Sequence, residues 1–295
     1  MAKLGFFSLL LGILIPSLSC ADELRLTVGG IERTALVVNA PPEPERRPLV
    51  LVLHGGAGSA ATQRSRTGFD ALAQREGFMV VYPQGSEFRP GMHAWNTGYL
   101  MRRQVGAVDD VAFLDTLIDR LIEKYGADPK RVYMTGGSNG GMMTLVYATR
   151  RAERLAGIAP VIAAMFSFDL RPARPIPILL INGALDQEVP IEGGMSRNPL
   201  VRSAQTAPYR SLEDTVNFWL GVNRSNREPE VRVEGSVTTR IWSTTPGGAV
   251  TVSVVDAEAG HGWPGANPTR RVSTPVSEKS ATELIWGFFR QWSLP

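Results

Sequence analysis

The apolar positions of this chain fall into two alternating patterns. Leu49–His54 (LVLVLH), Phe78–Tyr82 (FMVVY), Arg131–Thr135 (RVYMT), Ala156–Ile162, Ile176–Ile181 and Val250–Val255 are short, nearly continuous apolar runs. Such runs predict strands buried on both faces, as in a parallel sheet. Between them the period lengthens. In Asp110–Tyr125, the residues Val111, Leu114, Leu117, Ile118, Leu121, Ile122 and Tyr125 share one face, which predicts a helix capped by Asp109 or Asp110. Further helices are predicted around Ala71–Arg75, from Gly141 to about Arg150, over Leu212–Leu220 and over Glu278–Gln291. Leu24–Val28 and Arg33–Val38 alternate apolar and polar positions and predict an antiparallel hairpin at a sheet edge. Pro41-Pro42-Glu43-Pro44 predicts a turn before the first long apolar strand. Strands and helices alternate along the chain. The expectation is one α/β domain, a mostly parallel sheet of about eight strands with helices on both faces.

Composition narrows the class. The chain has 295 residues, 43% hydrophobic and 20% charged, which excludes wholesale disorder. The net charge of +3 comes without a basic stripe, so no nucleic-acid partner is expected. Cys20 is the single cysteine, so an intramolecular disulfide and a cysteine-based metal site are excluded. His54, His93 and His261 lie far apart and form no HExxH motif, so no metal is expected.

The N-terminus reads as an export signal. Lys3 precedes a 12-residue apolar run, Leu4–Ile15, followed by Pro16 and the small-residue stretch Ser17-Leu18-Ser19-Cys20. A bilayer-spanning helix needs about 18 or more apolar residues, so this run is too short. Residues 1–20 are therefore expected to be a signal peptide and 21–295 the catalytic domain. Cys20 offers a second reading, the acylated cysteine of a lipoprotein, although Ser17 stands where the usual motif has leucine. Both readings place the mature chain outside the cytoplasm, extracellular or periplasmic. A membrane enters only if Cys20 is acylated.

Gly136-Gly137-Ser138-Asn139-Gly140 is a G-x-S-x-G motif set between a predicted strand and a predicted helix. A sharp strand-to-helix turn exposes the serine hydroxyl above the sheet at the positive end of a helix. In the α/β-hydrolase fold that uses this turn, the acid and then the histidine follow the serine along the chain. His261, in Gly260-His261-Gly262-Trp263-Pro264-Gly265, is the one histidine after Ser138. Asp186, which follows the strand Ile176–Ile181, is the favoured acid; Asp169, Asp256, Glu188 and Glu258 are its rivals. The oxyanion donors are expected from the Asn139 amide and from the loop His54-Gly55-Gly56-Ala57-Gly58, with Gly56 favoured over Ala57. His54 precedes Ser138 and is expected to be structural.

Together these residues resemble the polyhydroxybutyrate depolymerase / feruloyl esterase family of secreted α/β-hydrolases. The likeness runs from about Leu49 to Trp292. It rests on LHGGAGS at 53–59, YPQG at 82–85, AWNTG at 94–98, VDDVAFL at 108–114, VYMTGGSNGGMM at 132–143, NGALDQEVP at 182–190 and GHGWPG at 260–265. The resemblance implies Ser138 as nucleophile, Asp186 as acid, His261 as base, and ester hydrolysis through an acyl-enzyme without a cofactor. Relatives often carry cysteines after the Trp-Asn pair, where this chain has Gly98-Tyr99-Leu100-Met101-Arg102. Trp95, Asn96 and Trp263 are candidates for the substrate pocket, because aromatic faces suit a phenolic acyl group or a sugar ring. Ile191–Tyr209 is expected to shape the entrance. Expected substrates are small or oligomeric esters: hydroxyalkanoate, feruloyl or acyl-sugar. The alternatives are an acetylxylan-type carbohydrate esterase, a serine peptidase on the same fold, and a non-catalytic envelope protein.

Overall fold

The computed structural model describes residues 21–41, 45–266 and 280–295. The expected signal peptide, Cys20 and most of the expected turn at Pro41–Pro44 lie outside the described residues. The chain runs β1 (Asp22–Val28), β2 (Ile31–Val38), β3 (Arg47–Leu53), α1 (Ala60–Thr67), α2 (Phe69–Glu76), β4 (Met79–Pro83), β5 (Ser86–Arg89) and β6 (Met92–Ala94). It continues with α3 (Arg102–Val105), α4 (Asp110–Lys124), β7 (Ala127–Gly137), α5 (Asn139–Arg150), β8 (Gly157–Val161) and β9 (Ile178–Gly183). Then follow α6 (Pro199–Ala204), α7 (Leu212–Asn223), β10 (Glu230–Glu234), β11 (Val237–Trp242), β12 (Thr251–Asp256) and α8 (Ala281–Phe289).

Ten strands form one sheet in the order β1-β2-β4-β3-β7-β8-β9-β12-β11-β10. The six central strands are parallel, and an antiparallel hairpin closes each edge. The sheet is thus two strands wider than the eight read from the sequence. The strands missing from that reading are β10 and β11. Every residue of β10 (EVRVE) is exposed, so it has no buried face to leave an apolar pattern. Its signal was the turn instead: Glu234 pairs with Val237 across Gly235-Ser236, and Gly235 has φ 60°. The helix α1 was also missed. It buries only Ala60, Gln63 and Thr67, and is fixed by a capping box between Ser59 and Thr62.

Alternation along the central strands divides the core in two. Leu49, Leu51 and Leu53 of β3 face α4, α5 and α7, while Val50 and Val52 face α1, α2 and α8. All five side chains are fully buried, which is why these strands read as continuous apolar runs. Parallel strands place all their C-terminal ends at one edge. The loops after β3, β7, β9 and β12 therefore meet there, although they are far apart in sequence.

Candidate active site

At the junction of β7 and α5, Ser138 has φ 54° and ψ −122°, a backbone conformation that L-residues rarely adopt. Its N–H donates to the Val161 carbonyl at 2.9 Å, and its carbonyl accepts the Met142 N–H at 2.8 Å. The neighbouring glycines are sterically required. A Cβ on Gly136 would lie 2.6 Å from the Gly140 carbonyl carbon, and one on Gly140 would lie 2.5 Å from the carbonyl oxygens of Leu53 and His54. Gly136, Gly137, Asn139 and Gly140 are buried while Ser138 is partly exposed, so the turn presents the serine.

Asp186 and His261 meet because β9 and β12 are adjacent parallel strands. The loops that follow are stitched together: Leu185 N–H donates to the Ala259 carbonyl, and Ala184 N–H to the Asp256 carbonyl, both at 2.9 Å. The Asp186 carboxylate is 2% exposed. One oxygen accepts the Glu188 and Val189 N–H groups at 2.8 Å, and the other accepts from His261 Nδ1 at 2.8 Å. That bond fixes the ring with Nε2 as its free nitrogen. Burial alone would lower the His261 pKa, but the Asp186 hydrogen bond and the charges of Asp186 and Glu188 outweigh it, and the pKa is raised. Among the rival acids, Asp256 accepts the Glu258 N–H at 3.0 Å at the end of β12, and Asp169 accepts from the Ser167 hydroxyl at 2.5 Å. Glu188 proves unexpectedly close: its carboxylate lies 3.4 Å from His261 Nε2. Its position two residues after Asp186, in the same turn, was the available signal. Trp263, two residues beyond His261, brings that segment to the elbow, since a Cβ on Gly137 would lie 3.5 Å from its ring.

The loop after β3 lies against the same elbow. A Cβ on Gly55 would be 3.6 Å from the Ser138 Cβ, and one on Gly56 would be 3.6 Å from the Asn139 Cβ. Ala57 has φ 60°. The N–H groups of Gly56, Ala57 and Asn139 have no acceptor among the described residues. His54 holds this loop from beneath. Its Nδ1–H donates to the Gly55 carbonyl at 2.7 Å, and its Nε2 accepts the Gly85 N–H at 3.0 Å. Burial, with smaller help from the charges of His93 and Arg33 and against the raising effect of the Gly55 hydrogen bond, pushes its pKa down to about 4, so it stays neutral at pH 7.

The three pocket candidates all make internal contacts. Trp95 is 0% exposed; its indole N–H donates to the His54 carbonyl at 2.9 Å. The Asn139 side chain accepts the Trp95 N–H at 2.7 Å and donates to the Trp95 carbonyl at 3.1 Å. Trp95 therefore braces the loop after β3 and the elbow instead of walling an open pocket. Asn96 spends its side chain on the carbonyls of Gly106 and Val108 and on the Gly98 N–H. Trp263 is 6% exposed, packs edge-on against Phe69 and donates to the Thr282 hydroxyl. An aromatic residue near a catalytic motif looks the same in sequence whether it faces substrate or core.

The motifs at 82–85, 94–98 and 108–114 form one support. Asp110 is buried and takes Arg33 at 2.7 Å on one oxygen and the Asn96 N–H at 2.7 Å on the other. Burial raises its pKa despite Arg33. Asp109 caps α4 by accepting the Ala112 N–H. The open space lies elsewhere. A cavity of about 300 Å³ is lined by Met142, Leu145, Tyr99, Met165 and Phe166 among others, and by none of Trp95, Asn96 and Trp263. Among the described residues, no three His, Cys, Asp or Glu side chains come together as metal ligands, and no helix is long and apolar enough to cross a membrane.

A parallel sheet with a strained serine at a strand–helix elbow, and a buried Asp–His pair two loops away, defines an α/β-hydrolase. Comparison with known proteins agrees. Residues 34–189 match the family model described as "Esterase PHB depolymerase". "Putative esterase NocK" of Nocardia uniformis subsp. tsuyamanensis is 33% identical over 238 residues, 77% of this chain and 68% of that protein. "Feruloyl esterase B" of Piromyces equi is 27% identical over 258 residues, 84% of this chain but only 42% of that protein. An acetyl xylan esterase from Aspergillus awamori superposes with a TM-score of 0.62 at 15% identity, covering 91% of this chain and 99% of that one, a likeness of fold. The chain belongs to the esterase PHB depolymerase family, a family of carboxylic-ester hydrolases.

Proposed function

We propose that the chain is an exported serine carboxylic-ester hydrolase. The observation that carries this reading is the buried 2.8 Å bond from His261 Nδ1 to Asp186, on loops that adjoin the strained Ser138 turn. In this mechanism Ser138 attacks the ester carbonyl while His261 Nε2 takes the hydroxyl proton. Asp186 holds the ring in its tautomer and stabilises the imidazolium. The amides of Gly56 and Asn139 receive the oxyanion, an interaction typically worth about 3–4 kcal/mol per donor. His261 then returns its proton to the leaving alcohol, and water hydrolyses the acyl-enzyme by the same steps.

The relatives are named for feruloyl and acetylxylan esters and for poly(3-hydroxyalkanoate). We assign small or oligomeric esters of these kinds to this chain. Residues 1–20 would direct export, and acylation of Cys20 would add a membrane anchor.

The test is hydrolysis of 4-nitrophenyl acetate, 4-nitrophenyl butyrate and methyl ferulate by the mature protein beside Ser138→Ala. The reading requires turnover by the wild type and a fall of several orders of magnitude in the variant. Equal rates in the two proteins would remove Ser138 as nucleophile.

A further inference from the structure

The cavity beside α5 carries charges that the ester chemistry does not use. Its lining on α5 follows one helical row: Met142, Leu145 and Val146, then Thr149 and Arg150. Met142 is four residues past Ser138 and Arg150 twelve. At about 1.5 Å per residue the row runs from roughly 6 to roughly 18 Å along the helix from the nucleophile. Tyr99 and Phe166, with ring centroids 5.4 Å apart, form an aromatic wall, and Arg102 stands beside them.

Arg102 and Arg150 make no ion pair with a carboxylate among the described residues, unlike Arg33, Arg64, Arg131, Arg151 and Arg154. A second hollow of about 490 Å³ shares Gly98, Tyr99 and Arg102 with the cavity and adds Arg103, which is likewise without a carboxylate. Asp169 is the one acidic side chain lining either hollow, and it accepts a hydrogen bond from the Ser167 hydroxyl. The two adjoining hollows are thus lined by three arginines against one carboxylate. Unpaired guanidinium groups beside an aromatic wall suit a planar anion at the end of an apolar chain.

We propose that this cavity binds a carboxylate carried by the substrate away from its scissile ester, with Arg102 and Arg150 as the recognising groups. The favoured substrates are then esters with a free acid end. The inference rests on Ser138 being the nucleophile. Two sources share the chemistry: the terminal carboxylate of a hydroxy-acid oligomer, and the carboxylate of a uronate sugar.

The experiment has a turnover arm and a binding arm. In the first, 4-nitrophenyl monoesters of adipate and suberate are compared with their methyl-capped diesters, in the wild type and in Arg102→Gln, Arg150→Gln and the double variant. The ratio of kcat/KM for free acid over capped ester is read within each protein, so a general loss of activity cancels. The wild type is expected to favour the free acid about tenfold at low salt, a difference of about 1.4 kcal/mol. The double variant is expected to bring the ratio close to unity. In the second arm, suberate and glucuronate are titrated calorimetrically into Ser138→Ala and into Ser138→Ala carrying both arginine changes. Binding that the arginine changes remove supports the site even if no ester is turned over, which separates its fate from that of the proposed activity. The diacid binding in preference to the uronate, or the reverse, identifies the source. A ratio near unity in the wild type without anion binding, or a preference that survives both substitutions, overturns the proposal.

Discussion

Replacing Glu188 by glutamine tests the site through its pH profile. The Glu188 carboxylate is 3.4 Å from His261 Nε2, the nitrogen that in the proposed mechanism must be unprotonated to accept the Ser138 proton. Asp186 on the other ring nitrogen and Glu188 both favour the imidazolium; burial and Arg66 oppose it. Two unit charges at this distance interact by about 1.2 kcal/mol in water and about 5 kcal/mol at an effective dielectric of 20. The Glu188 side chain is 36% exposed, so the solvated limit governs and the interaction is about 1 kcal/mol. At 1.36 kcal/mol per pKa unit, Glu188→Gln should lower the His261 pKa by roughly half a unit to one unit. Activity is lost as pH falls through this pKa. The acid limb of kcat/KM should therefore move to lower pH by that amount in low salt, and by less when salt screens the pair. The assay is kcat/KM for 4-nitrophenyl butyrate between pH 4 and 8. An acid limb that stays in place, or moves upward, refutes the coupling of Glu188 to the base.

Three further outcomes follow from the same contacts. His54 is held at a pKa of about 4, below its ordinary 6.5, so the unfolded chain takes up its proton first on acidification. The associated stability is complete above pH 6.5 and lost as pH falls towards 4, by about 3 kcal/mol; thermal melts of His54→Gln should lose less stability than the wild type over that range, and parallel curves would contradict this. Ser138→Gly removes the Cβ from the φ 54° position and should raise Tm by a few degrees, about 1 kcal/mol net of the glycine entropy, while abolishing turnover; a lower Tm would show that the serine is not strained. Asn139→Ala leaves the buried Trp95 N–H without its acceptor and should destabilise the fold by about 1–3 kcal/mol, measured by urea denaturation; an unchanged midpoint would mean that another group takes over the bond.

How much was legible depended on how each residue is held. The six central strands declared themselves because burial on both faces leaves nearly continuous apolar runs, as in Leu49–Leu53. The Asp109 cap was readable because a cap is made within one turn. The fully exposed β10 and the polar α1 left little apolar signal, and their turn and capping residues were the better guides. Trp95 and Trp263 were read as pocket walls, yet both lie inside. Which way an aromatic ring faces is decided by what packs on it, here His54 and Phe113 around Trp95 and Phe69 against Trp263.

The chain alone determined where the strained serine sits, because a strand, a glycine-lined turn and a helix follow one another without interruption from Ala127 to Arg150. His261 also followed from the chain as the one histidine after Ser138, while Asp186 was favoured among several rival acids. Tertiary structure decided the rest. Asp186 and His261 stand 75 positions apart and are bonded only because β9 and β12 became neighbours in the sheet. The same adjacency turned Glu188 towards Nε2, and packing of the loops beside α5 gathered arginines around a cavity. Local chemistry is written in neighbouring residues. Contacts between loops depend on strand order, which no short stretch of sequence contains.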